Sequence, residues 1–210
     1  MIPYRPRRPR VLRGDHLPSP VMAPVLHTSR LVLRPHRMSD ADDWVRIELD
    51  PTVREGLHWP ERDRRGVLAH LRDRTHQTSL WQVGDFLALA VELDGEVIGD
   101  VSMHLRTIAP ETRFVEIGWL LLPRYSGHGY ATEAASAMLD FAFTAVQACW
   151  ATAVIFADNE RSRALAERLG FVRVGRTPST ITYLMASESH HMPEAPWYGD
   201  TARRLGDTER

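Results

Sequence analysis

The stretch RYSGHGYATEA, residues 124–134, places two glycines one residue apart, directly before a run of small residues with the pattern of a helix. Glycine has no Cβ, so such a pair lets the chain turn tightly or lets a ligand approach the backbone. The preceding RFVEIGWLLL, residues 113–122, predicts a strand. This strand–loop–helix order has three interpretations: a turn without a ligand, a nucleotide phosphate loop, or a site for another anion.

Two kinds of phosphate loop are excluded by the residues themselves. A dinucleotide fingerprint needs a third glycine, and Thr132 stands at that position. A Walker A loop needs a lysine, and the sequence has none, because all 26 basic residues are arginine. The same absence excludes a kinase-type strand lysine and a lysine Schiff base.

An anion site remains compatible with the loop. The first backbone N–H groups of a helix have no intrahelical partner, and the helix dipole adds partial positive charge there. A helix terminus contributes only about 0.3–1 kcal/mol to an exposed charge, so such a loop orients an anion more than it supplies the affinity.

The pattern outward from the loop predicts one α/β domain with a mixed sheet. Asp94-Gly95 between two β-rich runs is a strong hairpin signal. The predicted element order is β-α-α-β-β-β-α-β-α-β-β. Strands are predicted at 29–37, 86–105 (as a hairpin), 113–122, 150–159, 171–175 and 180–186, and helices at 39–50, 60–75, 130–146 and 160–171.

The termini differ in composition from the predicted domain, which spans residues 26–187. Residues 1–25 are rich in proline and arginine and predict a disordered arm; residues 188–210 lose all periodicity and predict a loose tail. No apolar run is long enough for a membrane span or has the form of a secretory signal, which favours a soluble cytoplasmic protein. Cys149 is the only cysteine, so no intramolecular disulfide is expected.

Several ordered blocks of the sequence resemble one family. GEVIGDVSMHL, FVEIGWLLLPRYSGHGYATEA and NERSRALAERLGF are similar to the GNAT superfamily of acyl-CoA-dependent N-acyltransferases, in particular its ribosomal-protein (RimJ/RimL) branch. The resemblance runs from about Leu26 to Leu184. It implies a mostly antiparallel central sheet flanked by helices and splayed at its central strands.

The resemblance implies acetyl-CoA as co-substrate and no metal. The adjacent pair His190 and His191 is a poor metal site without further ligands. Ser126 replaces the Gln or Arg usual in the family's loop, which we expect to reduce affinity without abolishing it. The residues implied to hold the cofactor are Leu120, Leu121, Leu122, Ser126, Gly127, His128, Gly129, Tyr130, Ala131, Thr132, Asn159 and Ser162. Asn159 is equally compatible with a helix cap before Glu160.

Glu116 and Ser162 are the candidate catalytic residues. Strand alternation puts Glu116 on one face with apolar neighbours, a setting that raises the pKa of a carboxyl and suits a general base. The alternative is a structural glutamate paired with an arginine such as Arg113. Ser162 matches the branch's N-x-x-S pattern and would hydrogen-bond the CoA sulfur, or it satisfies backbone groups in the first helical turn. The tyrosine found in many family members is replaced by Ala166.

His58 and Trp59 are the candidate acceptor-binding residues, in a segment that resembles the branch's substrate loop. Packing of Trp59 against neighbouring helices is the alternative. The acceptor would be a primary amine: a protein N-terminus, a polyamine or an amino sugar. The branch also implies a homodimer as one state of the protein.

Two other functions remain open from the sequence. Ser126 and Ala166 leave room for a non-catalytic acyl-CoA-binding module on the same fold. The arginines of residues 5–13 leave room for a ribosome- or RNA-associated protein that acts through its arm.

Overall fold

The computed structural model describes residues 16–191. The predicted arm up to residue 15, with its arginines, and the tail from residue 192 lie outside the described residues. Within residues 16–191, no helix is both long and apolar enough to cross a membrane.

The described chain contains ten strands and five α-helices. The strands are β1 His16–Met22, β2 Leu26–His27, β3 Val32–Pro35, β4 Ser79–Gln82, β5 Phe86–Leu93, β6 Glu96–Leu105, β7 Phe114–Leu121, β8 Trp150–Phe156, β9 Val172–Arg176 and β10 Thr180–Ala186. The helices are α1 Ala41–Leu49, α2 Pro51–Leu57, α3 Arg64–Thr75, α4 Tyr130–Thr144 and α5 Glu160–Arg168.

Eight strands form one sheet in the order β2-β3-β5-β6-β7-β8-β10-β9, and β1 pairs with β4 in a separate two-stranded sheet. Neighbouring strands in the described sheet are antiparallel except β7 and β8. Residues of α4 pack in one apolar cluster with the sheet, and residues of α1–α3 form a second cluster that includes Leu120 and Leu122. The predicted mixed, mostly antiparallel sheet with flanking helices is confirmed.

The parallel pairing of β7 with β8 is short. It joins Phe114 to Trp150, Val115 to Ala151 and Glu116 to Thr152. Beyond Glu116, β7 continues to Leu121 beside β6, and β8 continues to Phe156 beside β10. The two central strands therefore separate, and we call the opening the β7–β8 gap. The predicted splay of the central strands is confirmed.

Local turn chemistry matches the sequence at the β5–β6 hairpin. Asp94 and Gly95 both have positive φ, at 50° and 85°. Two residues with positive φ are what a type I′ turn requires, and Asp-Gly is well suited to them.

Two segments differ from the expectations. Helix α1 ends before Pro51, in agreement with the predicted helix 39–50, but Pro51 also opens a further helix, α2, which was not predicted. Asp50 caps the N-terminus of α2 by accepting from the N–H groups of Thr52 and Val53. Proline is well tolerated at a first helical position, because the N–H that it lacks has no helical partner there. Strand β1 lies inside the segment predicted as an arm, and its Leu17 is buried in the main core.

A buried ionic cluster fixes helix α3 to the sheet. Asp100 on β6 accepts from Arg74 Nη1 at 2.9 and 3.1 Å and contacts His36 Nε2 at 2.7 Å. Asp100 is 2% exposed. Burial alone raises the pKa of Asp100, but the charge of Arg74 and the hydrogen bond with His36 outweigh it, so the pKa lies below its usual value.

Replacing Asp100 by Asn is expected to destabilise the protein by about 3–5 kcal/mol, because it leaves the Arg74 charge buried without a counter-ion. Urea unfolding at pH 7 measures the loss. Because the folded-state pKa is lowered, the contribution of Asp100 is present above the unfolded value of about 3.9 and is lost as the pH falls below it.

The control is Asp94→Asn, at an exposed turn position where Asn also adopts positive φ. It is expected to change the free energy of unfolding by less than about 0.5 kcal/mol. Equal stability of the two variants would show that the Asp100 cluster does not hold α3.

Candidate active site

The glycine loop, residues 126–129, lies at the end of the β7–β8 gap. Strand β7 ends at Leu121, a short 3₁₀ turn covers Pro123–Tyr125, and α4 begins at Tyr130. Gly127 and Gly129 have φ values of 83° and 81°, which other residues adopt only with strain. A Cβ on Gly127 would meet no atom within 4 Å. The loop therefore faces open space at the N-terminus of a helix whose first N–H groups lack intrahelical partners.

The structure brings most of the predicted cofactor residues together at this end of β7. The four residues Ser126, Gly127, His128 and Gly129 are exposed, and the first helical residues Tyr130, Ala131 and Thr132 are half-buried. Leu120 and Leu122 are buried, whereas Leu121 between them is half-buried. These residues follow one another from the end of β7, which has no partner strand on its β8 side there, into α4.

Sequence reasoning missed the cluster that holds the glycine loop. Glu133, in the first turn of α4, accepts four hydrogen bonds: from Thr28 Oγ1 at 2.6 Å, from Ser29 Oγ and the Arg30 backbone N–H at 2.9 Å, and from Arg30 Nε at 2.7 Å. Arg30 Nη1 donates to the carbonyl oxygen of His128 at 2.9 Å. Its guanidinium lies 4.5 Å from the centre of the Tyr130 ring. We call Thr28, Ser29, Arg30 and Glu133 the Glu133 clamp.

The Glu133 clamp keeps its carboxylate ionised. Burial raises the pKa of Glu133, but the hydrogen bonds from Thr28, Arg30 and Ser29 lower it more, to about 2. The ionised carboxylate also suits the first turn of a helix. A loop carbonyl is thus fixed by Arg30, which sets the orientation of the backbone around it.

Strand β8 carries one exposed apolar side chain in the part that has separated from β7. Val154 lies in the middle of a central strand and is still 36% exposed. Thr152 and Phe156, two residues before and after Val154, lie on the same face of β8. The exposure of Val154 shows that no other element of the described chain covers this face of β8 there.

Glu116 lies where β7 and β8 begin to separate. Its Oε2 accepts from Arg106 Nε at 3.0 Å and from Arg106 Nη2 at 2.7 Å. The Glu116 side chain is 19% exposed. Its surroundings are therefore ionic on one side, not apolar as expected. The arginine partner is Arg106; Arg113 instead donates to the carbonyl oxygens of Ile108 and Val146.

Asn159 caps helix α5 and also reaches another helix. Its Oδ1 accepts from the Ser162 N–H at 3.0 Å, and its Nδ2 donates to the carbonyl oxygen of Gly56 in α2 at 2.8 Å. The helix-cap interpretation of Asn159 is thus present in the structure. Ser162 is half-buried in the first turn of α5.

His58 and Trp59 both line a groove of about 590 Å³ beside α2. We call it the α2 groove; its residues are Pro51, Arg54, Glu55, His58, Trp59, Glu61 and Asp158. The His58 ring stacks on Phe156, with centroids 3.7 Å apart, and its Nε2 lies 3.5 Å from Asp158 Oδ2. Trp59 also packs edge-on against His70, at 5.3 Å.

Known proteins match this chain in sequence and in fold. Residues 30–172 match the model of a family described as an acetyltransferase (GNAT) domain. The Bacillus subtilis protein described as uncharacterized N-acetyltransferase YoaA is 28% identical over 165 residues, which cover 73% of this chain and 86% of that protein.

Two solved structures show the same architecture. An acetyltransferase from Agrobacterium tumefaciens aligns with a TM-score of 0.61 and 30% identity, over 78% of this chain and 95% of that one. RimL, described as a ribosomal L7/L12 alpha-N-protein acetyltransferase in complex with coenzyme A, aligns with a TM-score of 0.64 and 18% identity, over 80% and 99% of the two chains. The RimL likeness shows a common fold.

Replacing Glu133 by Gln is expected to lower the free energy of unfolding by about 1.5–3 kcal/mol, because a charged acceptor of several hydrogen bonds is lost. The folded-state pKa is lowered to about 2. The stabilisation is therefore complete above the unfolded value of about 4.3 and is lost as the pH falls towards 2. Urea unfolding between pH 7 and pH 3 measures both effects.

Glu111→Gln, at an exposed position of a 3₁₀ turn, is the control and should leave stability nearly unchanged. If the difference between Glu133→Gln and wild type did not shrink as the pH falls from 5 to 3, the ionised clamp would be refuted.

Proposed function

The chain belongs to the GNAT acetyltransferase family, and on that premise we propose that it transfers an acetyl group from acetyl-CoA to a primary amine. The observation that carries the proposal is the glycine loop, open to solvent, at the end of an unpaired strand edge. A diphosphate and a pantetheine arm need these two features side by side: N–H groups at a helix N-terminus and a backbone edge free to hydrogen-bond.

The residues present fit this co-substrate. The N–H groups of residues 127–132 would hold the diphosphate, and Gly127 leaves room because a Cβ there would meet nothing within 4 Å. The edge of β7 from residue 117 to residue 121 would pair with the amides of the pantetheine arm, as an added strand does. Asn159 would hydrogen-bond the same arm. Support for coenzyme A also comes from the fold neighbour RimL, whose complex contains it.

Glu116 is the proposed base for the amine. An ammonium group must lose a proton before it can attack a thioester carbonyl. The ion pair with Arg106 orients the Glu116 carboxylate at the opening of the β7–β8 gap, and the proton reaches it directly or through one water molecule. A backbone N–H in the segment 119–121 would stabilise the carbonyl oxygen as negative charge develops. Ser162 would hydrogen-bond the departing sulfur.

The α2 groove is the proposed site of the acceptor. Glu55, Glu61 and Asp158 line it together with a single arginine, Arg54, which pairs with Glu61 at 3.0 Å. This excess of negative charge favours a cationic acceptor. A protein N-terminus, a polyamine and an amino sugar all meet that requirement, because each offers a protonated amine at neutral pH.

Acetyl-CoA is expected to stabilise the wild-type protein by about 2.7 kcal/mol at 100 times its dissociation constant, and this gain should disappear in Gly127→Trp. The indole would fill the space in front of the loop. Gly84→Trp is the matched control, because Gly84 has a similar φ of 85° and equally open surroundings, but lies in a distant turn.

Thermal unfolding with and without acetyl-CoA measures the gain. If acetyl-CoA stabilised neither variant, backbone strain from the tryptophan, and not a blocked glycine loop, would explain the loss in Gly127→Trp. No stabilisation of the wild type at millimolar acetyl-CoA would overturn the proposed function.

Replacing Glu116 by Gln is expected to lower kcat/KM by about 10²–10⁴-fold while leaving acetyl-CoA binding unchanged, because the general base is lost and the loop is not. CoA release is followed with a thiol reagent against a panel of amines: spermidine, an aminoglycoside and a hexapeptide with a free N-terminus. Glu111→Gln serves as the control. Undiminished turnover by Glu116→Gln would assign Glu116 to the ion pair with Arg106 alone.

A further inference from the structure

We propose that His104 on β6 receives the proton that Glu116 takes from the amine, and that it acts in the reaction through Glu116. The inference rests on the proposed function, because it takes Glu116 as the base. It adds a second residue to proton transfer, at a position outside the glycine loop and the α2 groove.

His104 and Glu116 lie opposite each other on neighbouring strands. In the antiparallel pair of β6 and β7, His104 is the register partner of Glu116, and in the pair of β5 and β6 it is the partner of Phe86. Side chains at directly opposite positions lie on the same face of a sheet, with Cβ atoms about 4.5–5.5 Å apart. The imidazole and the carboxylate are therefore neighbours at the opening of the β7–β8 gap, within a distance that one water molecule can bridge.

The two carboxylate oxygens of Glu116 have different surroundings. Two nitrogens of Arg106 donate to Oε2, at 3.0 and 2.7 Å. Oε1 accepts no hydrogen bond from any residue between 16 and 191, and the Glu116 side chain is 19% exposed. Oε1 is thus the oxygen that can accept the proton of an amine, while Arg106 holds the other.

Three neighbours of Glu116 differ in whether they can take up its proton. Arg106 stays charged and has no acceptor atom. Thr152, the register partner of Glu116 on β8, is buried, and its hydroxyl donates to the carbonyl oxygen of Val115 at 3.3 Å. Histidine changes its charge between pH 5 and pH 8, and its neutral ring accepts at one nitrogen and donates at the other. Of the three, His104 is the residue suited to receive a proton.

The position of His104 also suits release of that proton. Its side chain is half-buried, so it retains contact with solvent. Its ring stacks on Phe86, with centroids 4.3 Å apart, which fixes the plane of the imidazole. The guanidinium of Arg74 lies 5.1 Å from the centre of the Phe86 ring, and its charge is paired with Asp100.

Acetyl transfer to an ammonium group releases two protons. The amine nitrogen forms a bond to the carbonyl carbon and the C–S bond breaks; one proton ends on the departing sulfur, and the other must leave the site. In model peptides an imidazole holds a proton more firmly than a carboxylate, with pKa values of about 6.5 and 4.3. The proton that Glu116 Oε1 takes from the ammonium therefore passes to His104 and then to solvent, which returns Glu116 to its ionised form.

The test compares His104→Phe with wild type in the assay of CoA release, using the amine of the panel that reacts fastest. Phenylalanine keeps an aromatic ring against Phe86 but cannot accept a proton. We expect kcat to fall about tenfold, with the KM values for acetyl-CoA and for the amine unchanged. The control is His76→Gln, at an exposed histidine that ends α3, and it should have the kcat of the wild type.

Added imidazole separates proton transfer from a structural role. His104→Ala leaves space for an imidazole molecule, so its kcat should be restored as imidazole is added, whereas that of His104→Phe should not. Thermal unfolding with acetyl-CoA checks the fold, because both variants should be stabilised by the ligand as much as the wild type.

The inference is overturned if His104→Phe turns over as fast as the wild type, or if imidazole leaves the kcat of His104→Ala unchanged. The proposed function fails differently: the wild type itself would then release no CoA with any amine of the panel, and His104 would have no part in such a reaction.

Discussion

The early end of the pairing between β7 and β8 is the constraint on which the rest of the site depends. After three residue pairs, each strand follows its antiparallel neighbour, and the facing edges retain backbone N–H and C=O groups without a strand partner. Buried backbone groups of this kind require a partner. A ligand that offers amides can supply one, so the site is an interruption of the sheet and not a hollow in its surface. The glycine loop, Glu116 and Asn159 all lie around this interruption.

Charge around the site is held by pairs that reach across the fold. Arg30 is bound to Glu133, Arg106 to Glu116 and Arg74 to Asp100. Arginine suits such pairs because its planar group donates from several fixed directions and stays charged. Beside these pairs, the backbone N–H groups at the start of α4 add partial positive charge at the glycine loop. The hydrogen bonds and charges of the arginine partners contribute to pKa values of Asp100 and Glu133 that lie below their usual values.

What could be predicted from the sequence was local. The Asp94-Gly95 turn and the loop glycines depend on conformations that few other residues adopt, and their neighbours in sequence are their neighbours in space. The Glu133 clamp joins residues about a hundred positions apart, and no periodicity signals it. Glu116 was placed on the correct strand. Its partner Arg106 directly follows the preceding strand, and strand alternation alone does not identify an ion-pair partner there. Helix α2 was not predicted because Pro51 was interpreted only as a residue that ends a helix, although proline is also well tolerated as the first residue of one.

The long separation within the Glu133 clamp has a consequence for how the chain folds. Thr28, Ser29 and Arg30 leave the ribosome long before Glu133 does, and the strand pairs of β3 with β5 and β1 with β4 are also distant in sequence. Contacts of such span cost loop-closure entropy before they stabilise anything, so they form late and slow the folding reaction. The glycine loop therefore acquires its final orientation only when the first and middle thirds of the polypeptide have met. A nascent chain that ends before α4 contains β7, but neither β8 nor the Glu133 carboxylate that fixes the loop.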